Sequence, residues 1–366
     1  MQITLPKWYD LHVHLRQDAP VAAYIQAQLA MGCAGVLAMP NTKPPVSKVF
    51  DADPGEGWSI EGYQHKLRLA GADRFSALIV PLYLTAETTP EMIKKGAAAG
   101  ILKACKYYPP HGTTGAEFGR PLDTYIENGV IQAMQDAGVV LCVHGEEHGL
   151  EGEAYFGHAQ NAEEIFYKTR MPKLIKRFPK LRVVCEHITT AVAAKFVAKA
   201  GEDVVASITP QHLLYTVGDM VKGFKYHLFC LPLIKFDKDR QALRDAVLSI
   251  RNGKFFAGTD SAPHSKKVTE CGCAAGCFTG GIAPQLYAQG FEEAGADLSN
   301  KKWQEIFEKF LCRNGPSFYG LPIPTETFTL VKEDSTVELL HTPDGVVTPL
   351  PVGYGQPVIP WSIRLS

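Results

Sequence analysis

The sequence lacks an excess of charge of either sign. Its 37 Lys and Arg against 38 Asp and Glu leave a formal net charge of −1, and no block of Lys/Arg stands out. Nucleic acid and anionic membrane are bound chiefly through clustered positive charge, so neither is expected as a partner. Also missing is any apolar stretch approaching the ~18 residues that a membrane helix needs. The amino-terminal segment does not show the basic-then-apolar layout of a signal peptide. No G-x-G-x-x-G follows the first apolar run, which counts against the runner-up fold, an open doubly wound dinucleotide-binding sheet. There is no internal repeat and no low-complexity linker. The cysteines number nine, and an odd number cannot all pair within one chain. Several lie inside apolar runs ("VVLCVHGE", "RVVCEHIT"), where a reduced thiol behaves as a small hydrophobe. A reducing, cytoplasmic location is expected.

What is present is alternation. Eight short runs rich in Val, Ile, Leu and aromatics read as strands over 8–15, 35–41, 75–84, 100–108, 139–146, 182–189, 204–211 and 254–260. Helical patterns lie at 19–31, 58–71, 88–97, 122–137, 161–177, 190–200 and 238–251, and Gly201 stands where a C-cap would close the sixth of these. Runs this continuously apolar suit parallel strands covered on both faces. Eight β/α units over about 250 residues have the size and rhythm of an α/β protein of the (β/α)8 TIM-barrel type. After residue 315 Pro and Gly become frequent. The expected division is a barrel over 1–320 and a carboxy-terminal extension, 321–366, of short strands and turns packed on it.

The polar residues fall at the strand ends, where such barrels gather their chemistry. The first strand ends in His12-x-His14, and alternation aims both rings at one face. The fifth ends in His144 and the sixth in His187. The eighth ends in Asp260, followed by His264. One buried histidine is commonly a structural residue; four on three strand ends with an aspartate on a fourth point to metal binding. Imidazoles with a carboxylate suit zinc or a similar divalent ion. The set is too large for one catalytic zinc with an open position and too small for two unless something bridges them. Lys103 and Lys106 lie on the fourth strand. A buried lysine facing cations is disfavoured as an ammonium, and carbamylation by CO2 would turn it into a bridging carboxylate. Spacing alone does not choose between the two lysines, or between either of them and a solvent-facing pair.

These residues carry a resemblance. "HVHLR", "MPNTKPP", "KYYPPHGTT", "LCVHGE", "EHITT", "ITPQHL", "FCLPLIK" and "GTDSAPH" with "CGCAAGCF" run in order from residue 12 to 278, and "NGPSFYGLP" extends the likeness. Together they resemble the dihydroorotases of the short bacterial type, within the amidohydrolase superfamily. The resemblance implies a carbamylated Lys106 and two divalent ions, most simply Zn2+. One would be held by His12, His14, Lys106 and Asp260, the other by Lys106, His144 and His187. It implies cyclisation of N-carbamoyl-L-aspartate to L-dihydroorotate in pyrimidine synthesis, with Asp260 as base in one direction and acid in the other. Arg16, Asn41 and His264 would hold the substrate carboxylate, backbone near Leu231 and Ala275 the ring amide edge, and Thr113 and Thr114 would reach it from a loop acting as a lid. A homodimer is the family expectation. Two departures stand out. "CGCAAGC" has one alanine more than expected, which leaves Ala274 in competition with Ala275. The few residues before the first motif do not suffice for a complete terminal β-sandwich.

Other readings compete. Cys271, Cys273 and Cys277 with His264 suggest a structural zinc, although C-x-C-x3-C lacks the usual spacing. His212 matches no ligand position and reads as a structural or supporting residue. A hydantoinase or dihydropyrimidinase is the nearest alternative enzyme, and the Arg16–Asn41 pair argues against it because those substrates lack the ring carboxylate. An inactive homologue would be expected to lose ligands, and all six are present.

Overall fold

The apolar runs become strands because nearly every residue in them is covered on both faces. A computed structural model, which describes residues 1–250, 253–270 and 272–365, gives β1 as Trp8–Val13 and β2 as Cys33–Ala38. β3 comprises Ala77–Ile79 and Leu82–Tyr83, β4 is Ala104–Tyr107 and β5 Val140–Val143. β6 is Val183–Cys185, β7 Val204–Ile208 and β8 Phe255–Ala257. Neighbours pair in parallel in chain order, and the two parts of β3 divide the task, the first bonding to β2 and the second to β4. The ring closes between β8 and β1. Val13 and Ser261 form a parallel bridge, the Asp260 N–H donates to the His12 carbonyl at 2.8 Å, and the His14 N–H donates to the Ser261 carbonyl at 3.0 Å. The expected (β/α)8 barrel is the fold.

Two layers of apolar side chains hold it. Leu11, Leu37, Val140, Val184, Val205 and Phe256 fill the barrel interior. Val36, Tyr63, Ile93, Met134, Phe166 and Val197 pack between strands and helices. β1 departs from strict alternation. Tyr9 and Leu11 belong to the interior layer, whereas Val13 and Leu15 belong to the outer one, and the pairing with β2 shifts register between Asp10 and Val13. This irregularity acts as a β-bulge, which re-aims side chains. Odd-numbered residues face inward below it and even-numbered ones above, and so His12 and His14 turn toward the axis.

The helices start where the sequence offers caps: Ser59, Thr89 and Thr190 each accept the third helical N–H. Some boundaries differ from expectation. The stretch 122–137 is two helices, Leu122–Glu127 and Val130–Ala137, because Gly129 takes φ 83° between them. The stretch 161–177 splits into Ala162–Thr169 and Met171–Arg177, since Pro172 has no N–H to continue the ladder. Helix Ala191–Lys199 is not closed by a left-handed Gly201. Ala200 turns extended, and the Lys254 amine donates to the carbonyls of Val197, Ala200 and Gly201 at the helix end. The helix expected over 238–251 is observed as Asp237–Leu248, and Arg251 lies outside the described residues.

The carboxy-terminal segment shares a sheet with the amino terminus. Thr327–Val331 pairs antiparallel with Gln2–Pro6 on one side and Ser362–Leu365 on the other. Its Phe328, Leu330 and Trp361 join the outer core layer. Among the described residues no helix is long and apolar enough to cross a membrane.

Candidate metal centre and the adjoining pocket

Five strand ends converge on one buried cluster. His12, His14 and Asp260 lie with their ligand atoms all within 4.8 Å of one another. His14 Nε2 is 2.9 Å and His12 Nε2 3.4 Å from Asp260 Oδ1. The rings continue as a row: His14 to His12 at 5.7 Å between centroids, His12 to His187 at 4.8 Å, and His187 to His144 at 4.8 Å. Lys103, just before β4, is exposed, and Lys106 on β4 is fully buried. The Lys106 amine lies 4.9 Å from the Tyr108 ring centre and has no hydrogen-bond partner among the described residues.

Several buried atoms here lack partners. His12 Nε2, His14 Nδ1, Lys106 Nζ and His187 Nδ1 make no hydrogen bond among the described residues. Leaving a buried polar atom unpaired costs about 1–3 kcal/mol, so four in one cluster amount to a set of donors suited to a metal ion. Borderline divalent ions prefer such imidazole and carboxylate donors. The electrostatics agree. Burial pushes the Lys106 amine down toward neutrality, opposed by the Glu186 carboxylate. Burial, reinforced by the Lys106 charge, holds His187 well below the usual imidazole range. Burial alone would raise the Asp260 carboxyl, but the adjoining His12 and His14 imidazoles more than offset it and keep the group well below its ordinary value. Asp260 and His187 also adopt positive φ, 49° and 39°, and Arg16 does so at 63°. Non-glycine residues there carry strain, which collects at functional sites.

Beside the cluster, a cavity of about 310 Å³ opens past Arg16, which follows His14 by two residues. Arg16, Asn41, Thr114 and His264 share its wall with Tyr24 and Asp344. Arg16 Nη2 is 3.2 Å from His264 Nε2, which is 2.8 Å from the Ala275 carbonyl, and Asn41 Nδ2 donates to the Thr114 carbonyl at 2.9 Å. A guanidinium with two neutral polar groups suits a carboxylate. Burial pushes His264 down to about 3, aided by the Arg16 charge. Leu231 and Thr113 do not line this cavity.

The competing sites do not assemble among the described residues. Cys271 lies outside the described residues. Cys273 and Cys277 turn their thiols to the carbonyls of Tyr226 and His227, and among the described residues the only grouping with ligand geometry is that of His12, His14 and Asp260. Both ring nitrogens of His212 are engaged, Nδ1 with Thr209 Oγ1 at 2.7 Å and Nε2 with the Pro232 carbonyl at 3.2 Å.

Two carboxylates escaped the sequence reading. Glu186 Oε2 lies 2.7 Å from His12 Nδ1 and accepts from the Ser207 hydroxyl, which also receives the His187 N–H at 2.8 Å. Glu146 Oε2 lies 2.8 Å from His144 Nε2. Such partners fix the tautomer and aim of a ligating imidazole. Their signal was proximity, since Glu186 precedes His187 and Glu146 follows His144 by two residues.

Comparison with known proteins agrees with this geometry. No family model matches the chain. It is 38% identical over 361 residues to the dihydroorotase of Pseudomonas syringae pv. syringae, covering 97% of this chain and 96% of that protein. It is 40% identical over 372 residues to the dihydroorotase of Neisseria meningitidis serogroup B, covering 99% of each. Among solved structures, Saccharomyces cerevisiae dihydroorotase in complex with 5-fluoroorotic acid superposes with a TM-score of 0.85 at 26% identity, over 100% of this chain and 99% of that one. An L-hydantoinase from Arthrobacter aurescens shares the fold, with a TM-score of 0.72 at 16% identity over 99% of this chain and 83% of that one.

Proposed function

The chain belongs to the dihydroorotase family, and from that premise we propose that it interconverts N-carbamoyl-L-aspartate and L-dihydroorotate in pyrimidine synthesis, as a homodimer. The observation that carries the reading is the placement of Arg16, Asn41 and His264 around one cavity beside the buried His12–His14–Asp260 cluster. A cyclic amide bearing a carboxylate fits both parts. The unpartnered nitrogens of His12, His14, His187 and Lys106 support two divalent ions, zinc by donor chemistry. His12, His14 and Asp260 would hold one ion, His144 and His187 the other, and Lys106 both. For the last role the Lys106 amine adds to CO2 and loses a proton, becoming a carbamate. Bound ions supply an activated water and polarise the reacting carbonyl.

The chain's own groups do the rest. Arg16, Asn41 and His264 bind the substrate carboxylate and so present the amide to the cluster. In ring opening, the Asp260 carboxylate receives the proton of the attacking water and passes it to the departing nitrogen. In ring closure it accepts the ureido proton. One side chain serves both directions, as microscopic reversibility requires. Thr114 lines the pocket, and Thr113 beside it would reach the substrate only if their loop closes.

Turnover of each cyclic amide by one enzyme preparation tests the reading. The wild type should consume dihydroorotate and leave dihydrouracil and unsubstituted hydantoin nearly untouched. Arg16→Met should lose roughly 10- to 150-fold in kcat/KM on dihydroorotate, since a hydrogen bond to a charged group is worth about 1.5–3 kcal/mol, without gaining on dihydrouracil. Comparable wild-type rates on dihydrouracil and dihydroorotate would mean that the site does not read a carboxylate.

A further inference from the structure

The Lys267 side chain is only 6% exposed, yet it makes no ion pair among the described residues. Its amine instead donates to two carbonyls from distant parts of the chain, Phe229 at 2.7 Å and Gly276. Phe229 lies two residues before Leu231, and Gly276 follows Ala275 directly. The two segments also meet without it, because the Gly276 N–H donates to the Phe229 carbonyl at 2.9 Å. One carbonyl thus accepts from both Gly276 and Lys267. His212 Nε2 lies 3.2 Å from the Pro232 carbonyl, so two buried polar side chains, Lys267 and His212, hold the backbone 229–232.

The clamp connects with the pocket wall at His264. Gly276, at φ 141°, could not carry a side chain, since a Cβ there would stand 2.6 Å from the Ala262 Cβ and 3.0 Å from His264 Nε2. The same His264 nitrogen lies 2.8 Å from the Ala275 carbonyl and 3.2 Å from Arg16 Nη2. Contacts therefore run unbroken from Arg16 through His264, Ala275 and Gly276 to Lys267 and Phe229. A methionine would fill the same space at no desolvation cost. Burying an ammonium is expensive unless its donors are satisfied, and here burial pushes the amine below its ordinary value.

We infer that Lys267 is a positioning residue that sets the spacing between the backbone at Leu231 and at Ala275, and with it the seat of the substrate's ring amide edge. This rests on the dihydroorotase reading and on the contacts proposed at those two residues. Loosening the clamp spoils the fit of the bound ring more than the proton transfers at Asp260, so the effect belongs in KM.

Steady-state kinetics on dihydroorotate with Lys267→Met, Lys267→Arg and Lys267→Gln test this, with metal content and melting temperature measured on the same samples. Lys267→Met should raise KM about tenfold or more, change kcat by less than about threefold and keep the wild-type metal content. Lys267→Arg, whose fork reaches both carbonyls, should restore most of the wild-type KM, and Lys267→Gln, which reaches one, should fall between. If Lys267→Met does not fold, the arginine–glutamine difference in KM decides. Equal, wild-type KM values across the folded variants overturn the positioning role, and so does a loss confined to kcat or to metal content. A wild-type enzyme inert toward dihydroorotate overturns the function reading and this role together, whereas an active wild type with indifferent variants overturns this role alone.

Discussion

Asp260 touches two imidazoles through one oxygen, His14 at 2.9 Å and His12 at 3.4 Å, and so combines a place in the cluster with a proton-carrying role. Asparagine keeps an oxygen donor but cannot carry the proton. Asp260→Asn should retain most of its metal and lose at least ~100-fold in kcat, the low end for a general acid–base group; elemental analysis beside the rate measurement separates the two, and a near-normal rate in metal-loaded variant would exclude the shuttle. The lysines give a paired test. Purified protein should hold close to two divalent ions per chain, Lys106→Ala should lose metal at both positions, and Lys103→Ala, altered on an exposed side chain, should lose none. Full metal content in Lys106→Ala would remove the bridging role. At this scale much was legible. Spacing put ligand-type residues on strand ends, and the structure gathers His12, His14 and Asp260. What spacing could not supply was which lysine is buried, because Lys103 lies directly before the short strand that carries Lys106. Nor could it supply Glu186, whose contact with His12 spans 174 residues of sequence.

Elements were legible where their apolar period was long and continuous, as in the eight strands. They blurred where a local device intervened. The register shift in β1 is invisible to an alternation count, yet it turns His12 and His14 inward. Gly129 and Pro172 each divide an amphipathic pattern that reads as one helix. Helix Ala162–Thr169 carries a further consequence. Its buried Glu163 accepts from the N–H and hydroxyl of Thr189, tying down the segment that follows His187. Burial pushes the Glu163 carboxyl from the ordinary 4.5 up to about 7. The folded chain therefore keeps a proton that the unfolded chain releases. Stability from this group is full below about pH 4.5, declines as the pH rises toward 7 and stays reduced above it. Glu163→Gln should flatten that decline, read as melting temperature at pH 5 against pH 7.5. Identical slopes in both proteins would assign the trend to other groups.

For the whole molecule, the expected boundary at residue 320 meets a fold in which the last segment is part of the main core. Phe328 packs within 3.0 Å of where a Cβ on Gly32 would sit, and Trp361, fully buried, donates to Glu292 at 2.9 Å. We propose that 321–366 is an extension in sequence only, and a chain cut after residue 320 should be recovered as aggregated or protease-sensitive protein. A soluble truncated chain melting cooperatively near the wild-type temperature would show that the barrel stands alone. The shared sheet also bears on how the molecule is made. Gln2–Pro6 is translated long before its partner Thr327–Val331. Val13 likewise waits for Ser261 before the ring can shut. Until those partners are made, the nascent chain carries an unpaired strand edge and an open barrel, the exposed surfaces on which chaperones act and from which aggregation starts. Ring closure therefore follows translation of Ser261, and completion of the terminal sheet follows translation of Thr327–Val331.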